Sequence, residues 1–130
     1  MKFALAVFGA PHSSQASASA LRFAEAAVAM GHELVRVFFY HDAVYLANEL
    51  TVAPQDEIDV ATSWAEFASR THVELAVCIA ASLKRGIIDE NESRRYSKAA
   101  SSLNPAFRVV GLGQLIEASM AADRVVTFAA

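Results

Sequence analysis

Apolar residues arrive along this chain in two patterns, short unbroken runs and longer stretches with helical spacing. Lys2 to Phe8 (KFALAVF) is a near-continuous apolar run, as expected of a strand covered on both faces. Gly9-Ala10-Pro11 breaks it, and Ser13 or Ser14 is placed to cap a helix from about Gln15 to Met30. Ala20, Leu21, Ala24, Ala27 and Val28 make the apolar stripe of that helix, and Gly31 ends it. His32 to Tyr40 (HELVRVFFY) reads as a second strand. A β-α-β opening of this kind predicts a parallel sheet.

The alternation continues to the end of the chain. Asp42 to Leu50 (DAVYLANEL) predicts a short capped helix, and Thr51 to Gln55, with Pro54, a loop. Asp56 is expected to cap a helix from about Glu57 to Ser69, with Ala61, Trp64, Ala65 and Ala68 facing the core. Glu74 to Ile79 is the third strand, running into a short helix that closes on Gly86. Asp89 followed by Glu92 has capping-box spacing and predicts a helix to about Ala100. Phe107 to Val110 is a fourth strand, Gln114 to Ala122 a helix, and Arg124 to Phe128 a fifth strand. The expected fold is α/β: a three-layer α/β/α sandwich around a mainly parallel five-stranded sheet, with residues 1–130 forming one domain.

Composition narrows the function classes. Of 130 residues, 55% are hydrophobic and 19% charged, below the roughly 25% charged residues usual in soluble domains. Partner subunits covering part of the surface would account for that. The net charge of −3 lacks the basic footprint of a nucleic-acid binder, so direct RNA or DNA contact is not expected. No apolar segment reaches the roughly 18 residues of a membrane span. The N-terminus lacks a signal-like core with a cleavage site, so the expected location is cytoplasmic.

Candidate chemistry is sparse. Cys78 is the only cysteine, which excludes an intrachain disulfide and a multi-cysteine zinc site. It falls at the change from strand to helix, where ligands collect in open α/β sheets and where the first amides of a helix favour thiolate. Lys84 and Arg85 follow one to two turns later. A free cysteine also packs as a small buried hydrophobe, and position alone leaves both readings open. His12, His32, His41 and His72 sit at element boundaries without metal-ligand spacing, so no metal is expected. His12 and His41 follow strands at the carboxyl edge, where either could approach Cys78 as a base. Tyr45 and Asn48 are placed near the same edge, and with His12 they are candidate pocket neighbours of Cys78.

Several motifs are absent. The turn from Gly9 to Ser14 lacks both G-x-G-x-x-G and G-x-x-x-x-G-K-[ST], leaving a plain capped turn or a modest anion site. There is no G-x-S-x-G elbow and no C-x-x-C, and Lys84 occupies the place where a cysteine phosphatase needs arginine. Arg94, Arg95 and Lys98 form a local basic cluster, read as a solvated face. A lone cysteine can still carry a group: a thiolate accepts sulfur from a donor persulfide, and a partner thiol then removes it.

The chain resembles the DsrE/TusD family of sulfur-relay proteins along essentially its whole length, most closely the TusD branch. Gly31-His32-Glu33-Leu34, Val37-Phe38-Phe39-Tyr40, Val44-Tyr45 and Ala47-Asn48 carry the likeness, with Val77-Cys78-Ile79-Ala80-Ala81, Arg85-Gly86 and Asp89-Glu90. Gly111-Leu112-Gly113, Glu117-Ala118-Ser119 and Asp123-Arg124-Val125-Val126 complete it, in order and at matching spacing. The resemblance implies that Cys78 carries the persulfide, with no cofactor. It implies a cytoplasmic heterohexamer with TusB-like and TusC-like subunits, a TusA-like sulfur donor and a TusE-like acceptor. The sulfur would end as 2-thiouridine at the tRNA wobble position, or, in the DsrE branch, feed sulfur oxidation. The rival reading is a non-catalytic α/β subunit whose cysteine only packs.

Overall fold

The computed structural model describes all 130 residues. Five strands, β1 (Lys2–Val7), β2 (Glu33–Phe39), β3 (Leu75–Cys78), β4 (Arg108–Val110) and β5 (Arg124–Phe128), form one sheet in the order β4-β3-β2-β1-β5. Every neighbouring pair is parallel. The helices are α1 (Ala16–Ala29), α2 (Val60–Thr71), α3 (Ile79–Lys84), α4 (Glu90–Arg95) and α5 (Gly113–Ala121), with a 3₁₀ helix at His41–Ala47. This is the expected α/β sandwich, and its sheet is wholly rather than mainly parallel.

Strand order decides which helix covers which face. From β1 to β4 the chain steps in one direction, so right-handed crossovers put α1, α2 and α3 on one face. The return from β4 to β5 runs the other way and leaves α5 on the opposite face. Side chains agree with this. Phe3 meets Phe23 of α1 with ring centroids 5.3 Å apart. Phe39 meets Trp64 of α2 at 5.6 Å. On the other face Arg36 bonds Glu74 at 2.9 Å and the Gln114 carbonyl of α5 at 2.8 Å. Leu5, Val7, Val37, Phe39, Leu75 and Val77 fill the α1/α2 face with Trp64 and Phe67. Burying Trp64 leaves its indole N–H in need of an acceptor, which the Ser17 carbonyl supplies at 3.1 Å.

Several local expectations are corrected. Asp59, not Asp56, caps α2, because its carboxylate reaches the Thr62 amide and hydroxyl at 3.1 and 2.9 Å. Ser14 does not cap α1 in the usual way. It donates to the Ala10 carbonyl at 2.8 Å and only touches the Ala16 amide, at 3.3 Å. Val28 leaves the apolar stripe and lies at the surface. The segment after β2 winds as a 3₁₀ helix without a side-chain cap. Asp89 does cap α4 through the Glu92 amide at 2.8 Å, but α4 stops at Arg95 rather than near Ala100. Ser97 there takes a positive φ of 54°. Its amide and that of Lys98 return to the Arg94 and Ser93 carbonyls, the double closure that ends a helix.

Candidate functional site at the carboxyl edge

Cys78 is the last residue of β3 and the N-cap of α3. The chain reverses its crossover direction between β3 and β4, since β3 feeds α3 on one face and β4 feeds α5 on the other. Adjacent strands whose connections part in this way open a crevice at their carboxyl ends, the usual ligand position in such sheets. Cys78 pairs with Val110 across that boundary. Alternation along β3 turns Leu75 and Val77 toward α1 and α2, and Ala76 and Cys78 toward α5. On the other side the pairing with β2 ends at Phe39↔Val77, one residue before Cys78, and Tyr40 leaves the strand there.

Tyr40 belongs to an aromatic group that sequence reading missed. Its ring stacks on His41 at 4.1 Å with an interplanar angle of 11°. Phe8 meets both rings edge-on, at 5.9 and 5.4 Å. His41 holds a φ of 51°, uncommon without a glycine. Leu112, exposed between Gly111 and Gly113, begins α5 beyond Val110.

The thiol itself is 1% exposed. It makes no capping bond to α3, so the first amides of that helix have no side-chain acceptor from it. Burial shields the thiol from water and oxidants, and any reagent needs the rim to open. Arg85 holds the far end of α3, bonding Asp42 of the 3₁₀ helix at 2.9 Å and the Ala81 carbonyl at 3.0 Å. Arg85 is thus tied into the scaffold.

The residues placed near Cys78 by sequence go elsewhere. His12 and Asn48 share a groove of about 1070 Å³ on the α1 side, bounded by Ser14, Pro54, Asp59 and Asn104. Neither Cys78 nor Tyr45 lines it. Tyr45 stands half-exposed on the 3₁₀ helix. Asn48 has a structural task, accepting the Leu50 amide at 3.0 Å. In the basic cluster, Arg94 lies 3.9 Å from Glu90 and Arg95 the same distance from Glu92, as on a solvated helix face. No group of three His, Cys, Asp or Glu side chains could hold a metal ion. No helix is long and apolar enough to cross a membrane.

Residues 1–128 match the family model described as DsrE/DsrF-like. The chain belongs to the DsrE/DsrF-like family. The DsrE protein of Allochromatium vinosum is 49% identical to this family member over 128 residues, 98% of each chain. The sulfurtransferase TusD homolog of Pseudomonas aeruginosa is 48% identical over 128 residues, 98% of this chain and 97% of that one. Among solved structures, the YchN protein from Escherichia coli superposes with a TM-score of 0.76 at 22% identity. That match covers 98% of this chain and 99% of that one. The YchN likeness establishes that the DsrE/DsrF-like chain shares a known fold.

Proposed function

We propose that this protein is a sulfurtransferase subunit that carries sulfur as a persulfide on Cys78 and passes it between carrier proteins. The observation that carries the reading is the place of the only cysteine, at the carboxyl end of β3 where the crossovers part. The sulfurtransferase name of a whole-length relative supports the reaction class. The Cys78 thiolate attacks the outer sulfur of a donor persulfide. A bond from Sγ to that sulfur forms, the donor's S–S bond breaks, and the donor leaves as thiolate. An acceptor thiolate later repeats the exchange in the opposite sense, and no net oxidation occurs. Uncapped amides at the start of α3 are available to the anionic sulfur. A six-residue helix adds little dipole beyond them.

Sulfur delivery toward 2-thiouridine at the tRNA wobble position is the pathway we assign, through a TusA-like donor and a TusE-like acceptor. TusB-like and TusC-like subunits would complete a cytoplasmic hetero-oligomer. The exposed apolar residues Leu112, Ile116 and Met120, spaced every fourth residue along α5, support a covered surface. Sulfur oxidation is the second pathway, favoured by the equally strong likeness to the Allochromatium DsrE protein.

The test incubates native protein with a cysteine desulfurase, cysteine and a TusA-like carrier, followed by intact mass and peptide mapping. One reductant-labile sulfur on Cys78 is expected. No gain, with a thiol unreactive until unfolding, would return Cys78 to the core and leave a structural subunit. Transfer onward to a TusE-like acceptor separates the tRNA pathway from sulfur oxidation.

A further inference from the structure

The segment between the 3₁₀ helix and α2, residues 49–59, walls one side of the groove on the α1 side of the molecule. It carries Leu50, Val52 and Ile58, which are 74%, 85% and 81% exposed. Single apolar side chains in water are ordinary, but three on one short segment make a patch. The backbone that bears them is pinned. The Glu49 amide donates to the Ser102 carbonyl at 2.7 Å, and the Glu57 amide to the Pro54 carbonyl at 3.0 Å. The Leu50 amide donates to Asn48 Oδ1 at 3.0 Å. These side chains are therefore presented to solvent from a fixed position.

Charge gathers at the same place. Glu49, Asp56, Glu57 and Asp59 line the groove against Arg22 alone, which leaves it a net charge of −3. The whole chain also carries −3, so acidic and basic residues balance everywhere else. Asp59 is occupied in capping α2, and Arg22 turns to the Ser19 hydroxyl. Glu49, Asp56 and Glu57 enter no ion pair within the fold. A volume of about 1070 Å³ stands at the top of the roughly 300–1,000 Å³ range of small-molecule pockets. A small ligand inside it would still leave Leu50, which lies outside the lining, in water. The negative field repels nucleic acid and anionic membrane surfaces. A protein segment in which cations alternate with apolar side chains satisfies both the patch and the unpaired carboxylates.

We propose that this groove docks a basic, apolar-bearing segment of a partner protein. The inference goes beyond the sulfur reading and does not depend on Cys78, which lies outside the groove. Val52 and Ile58 take the partner's apolar side chains, and their burial supplies affinity. Glu49, Asp56 and Glu57 meet lysine or arginine at the rim, which sets the rate of encounter and the choice of partner. The face is opposite α5, so this surface is separate from the apolar row on that helix.

The probe is a fluorescein-labelled peptide alternating lysine with leucine and carrying a photo-crosslinking group. Its twin has glutamate in place of lysine. Binding to the full chain is read by anisotropy, and cross-links are mapped by peptide mass. The lysine peptide should bind and the glutamate twin should not. Val52→Ser with Ile58→Ser should weaken binding by about tenfold or more. Glu49→Gln, Asp56→Asn and Glu57→Gln together should weaken it by about tenfold, the scale of three exposed ion pairs, and should remove most of its salt dependence. Both variants should unfold at the native urea concentration, because every replaced side chain is exposed. Ile116→Ser with Met120→Ser, on the opposite face, should bind as native, and cross-links should fall within residues 49–59. Failure of the lysine peptide to bind would overturn the proposal, as would equal affinity in native protein and both groove variants. Cross-links on α5, or equal binding of the two peptides, would overturn it as well. Anionic lipid vesicles that bind native protein and lose the groove variants would give the surface to a membrane instead.

Discussion

Two sides of the carboxyl edge divide its resources. The α1 side holds the volume, a groove of about 1070 Å³ into which His12 and Asn48 project. The β3/β4 side holds Cys78, closed to 1% exposure and paired with Val110. A large concave pocket is the default place to look for chemistry, and here it contains no cysteine. A bound metabolite needs volume, whereas a single sulfur atom needs shielding and a controlled approach. Under the persulfide reading the cargo is one atom, and cavity size and chemistry need not coincide.

That contrast breaks outright if the thiol is dispensable. Cys78→Ser should lose all sulfur acceptance by intact mass while the far-ultraviolet circular dichroism stays native. Any residual sulfur on the serine protein would move the chemistry elsewhere. Next in size is the rim. Tyr40→Ala removes the ring stacked on His41 at the carboxyl edge that follows β2, and iodoacetamide should then alkylate the native thiol about tenfold faster, on the order of 1.4 kcal/mol of lost closure. An unchanged rate would mean that the ring does not guard the thiol. Arg85→Ala should lower unfolding stability by about 1 kcal/mol in a urea titration, because the Asp42 partner is solvent-exposed and its contribution is discounted accordingly. A loss several times larger would make this clasp a principal support of α3. Smallest of all, His12→Ala with Asn48→Ala should change the sulfur-loading rate less than about twofold, within the half kcal/mol of ordinary surface changes. A larger drop would return the groove to the active site.

Much of the framework was legible in the chain because short apolar runs and helical stripes are local patterns. Arg124–Phe128 is a strand as read, and Trp64 is core as read. Cys78 was placed at its strand-to-helix boundary for the same reason. Neighbourhood was less legible. Tyr40 ends a recognisable strand, but that β2 lies beside β3 is a fact of sheet order, which no local pattern encodes. His12, Tyr45 and Asn48 shared an edge with Cys78 in sequence terms. An edge has two faces, and the direction of each crossover assigns residues between them. Cap choice failed where two acidic residues compete: Asp56 and Asp59 both precede α2, and only Asp59 has Thr62 three residues on. The early end of α4 depends on Ser97 adopting a conformation usually left to glycine.

The single-helix cover on the α5 face sets how the molecule breathes. Four elements of local order, α1, α2, α3 and the 3₁₀ helix, share the burial on one side of the sheet, while α5 stands alone on the other. Regional stability follows buried apolar contact, and α5 keeps only Ala118 fully buried. Amide protons of Leu115 to Ala121 should therefore exchange with deuterium well before those of β1 and β2. Lifting that one helix uncovers the sheet face that carries Cys78 and leaves the Trp64 core closed. A partner chain seated on Ile116 and Met120 would then act as a latch, setting by its presence how often Cys78 is open.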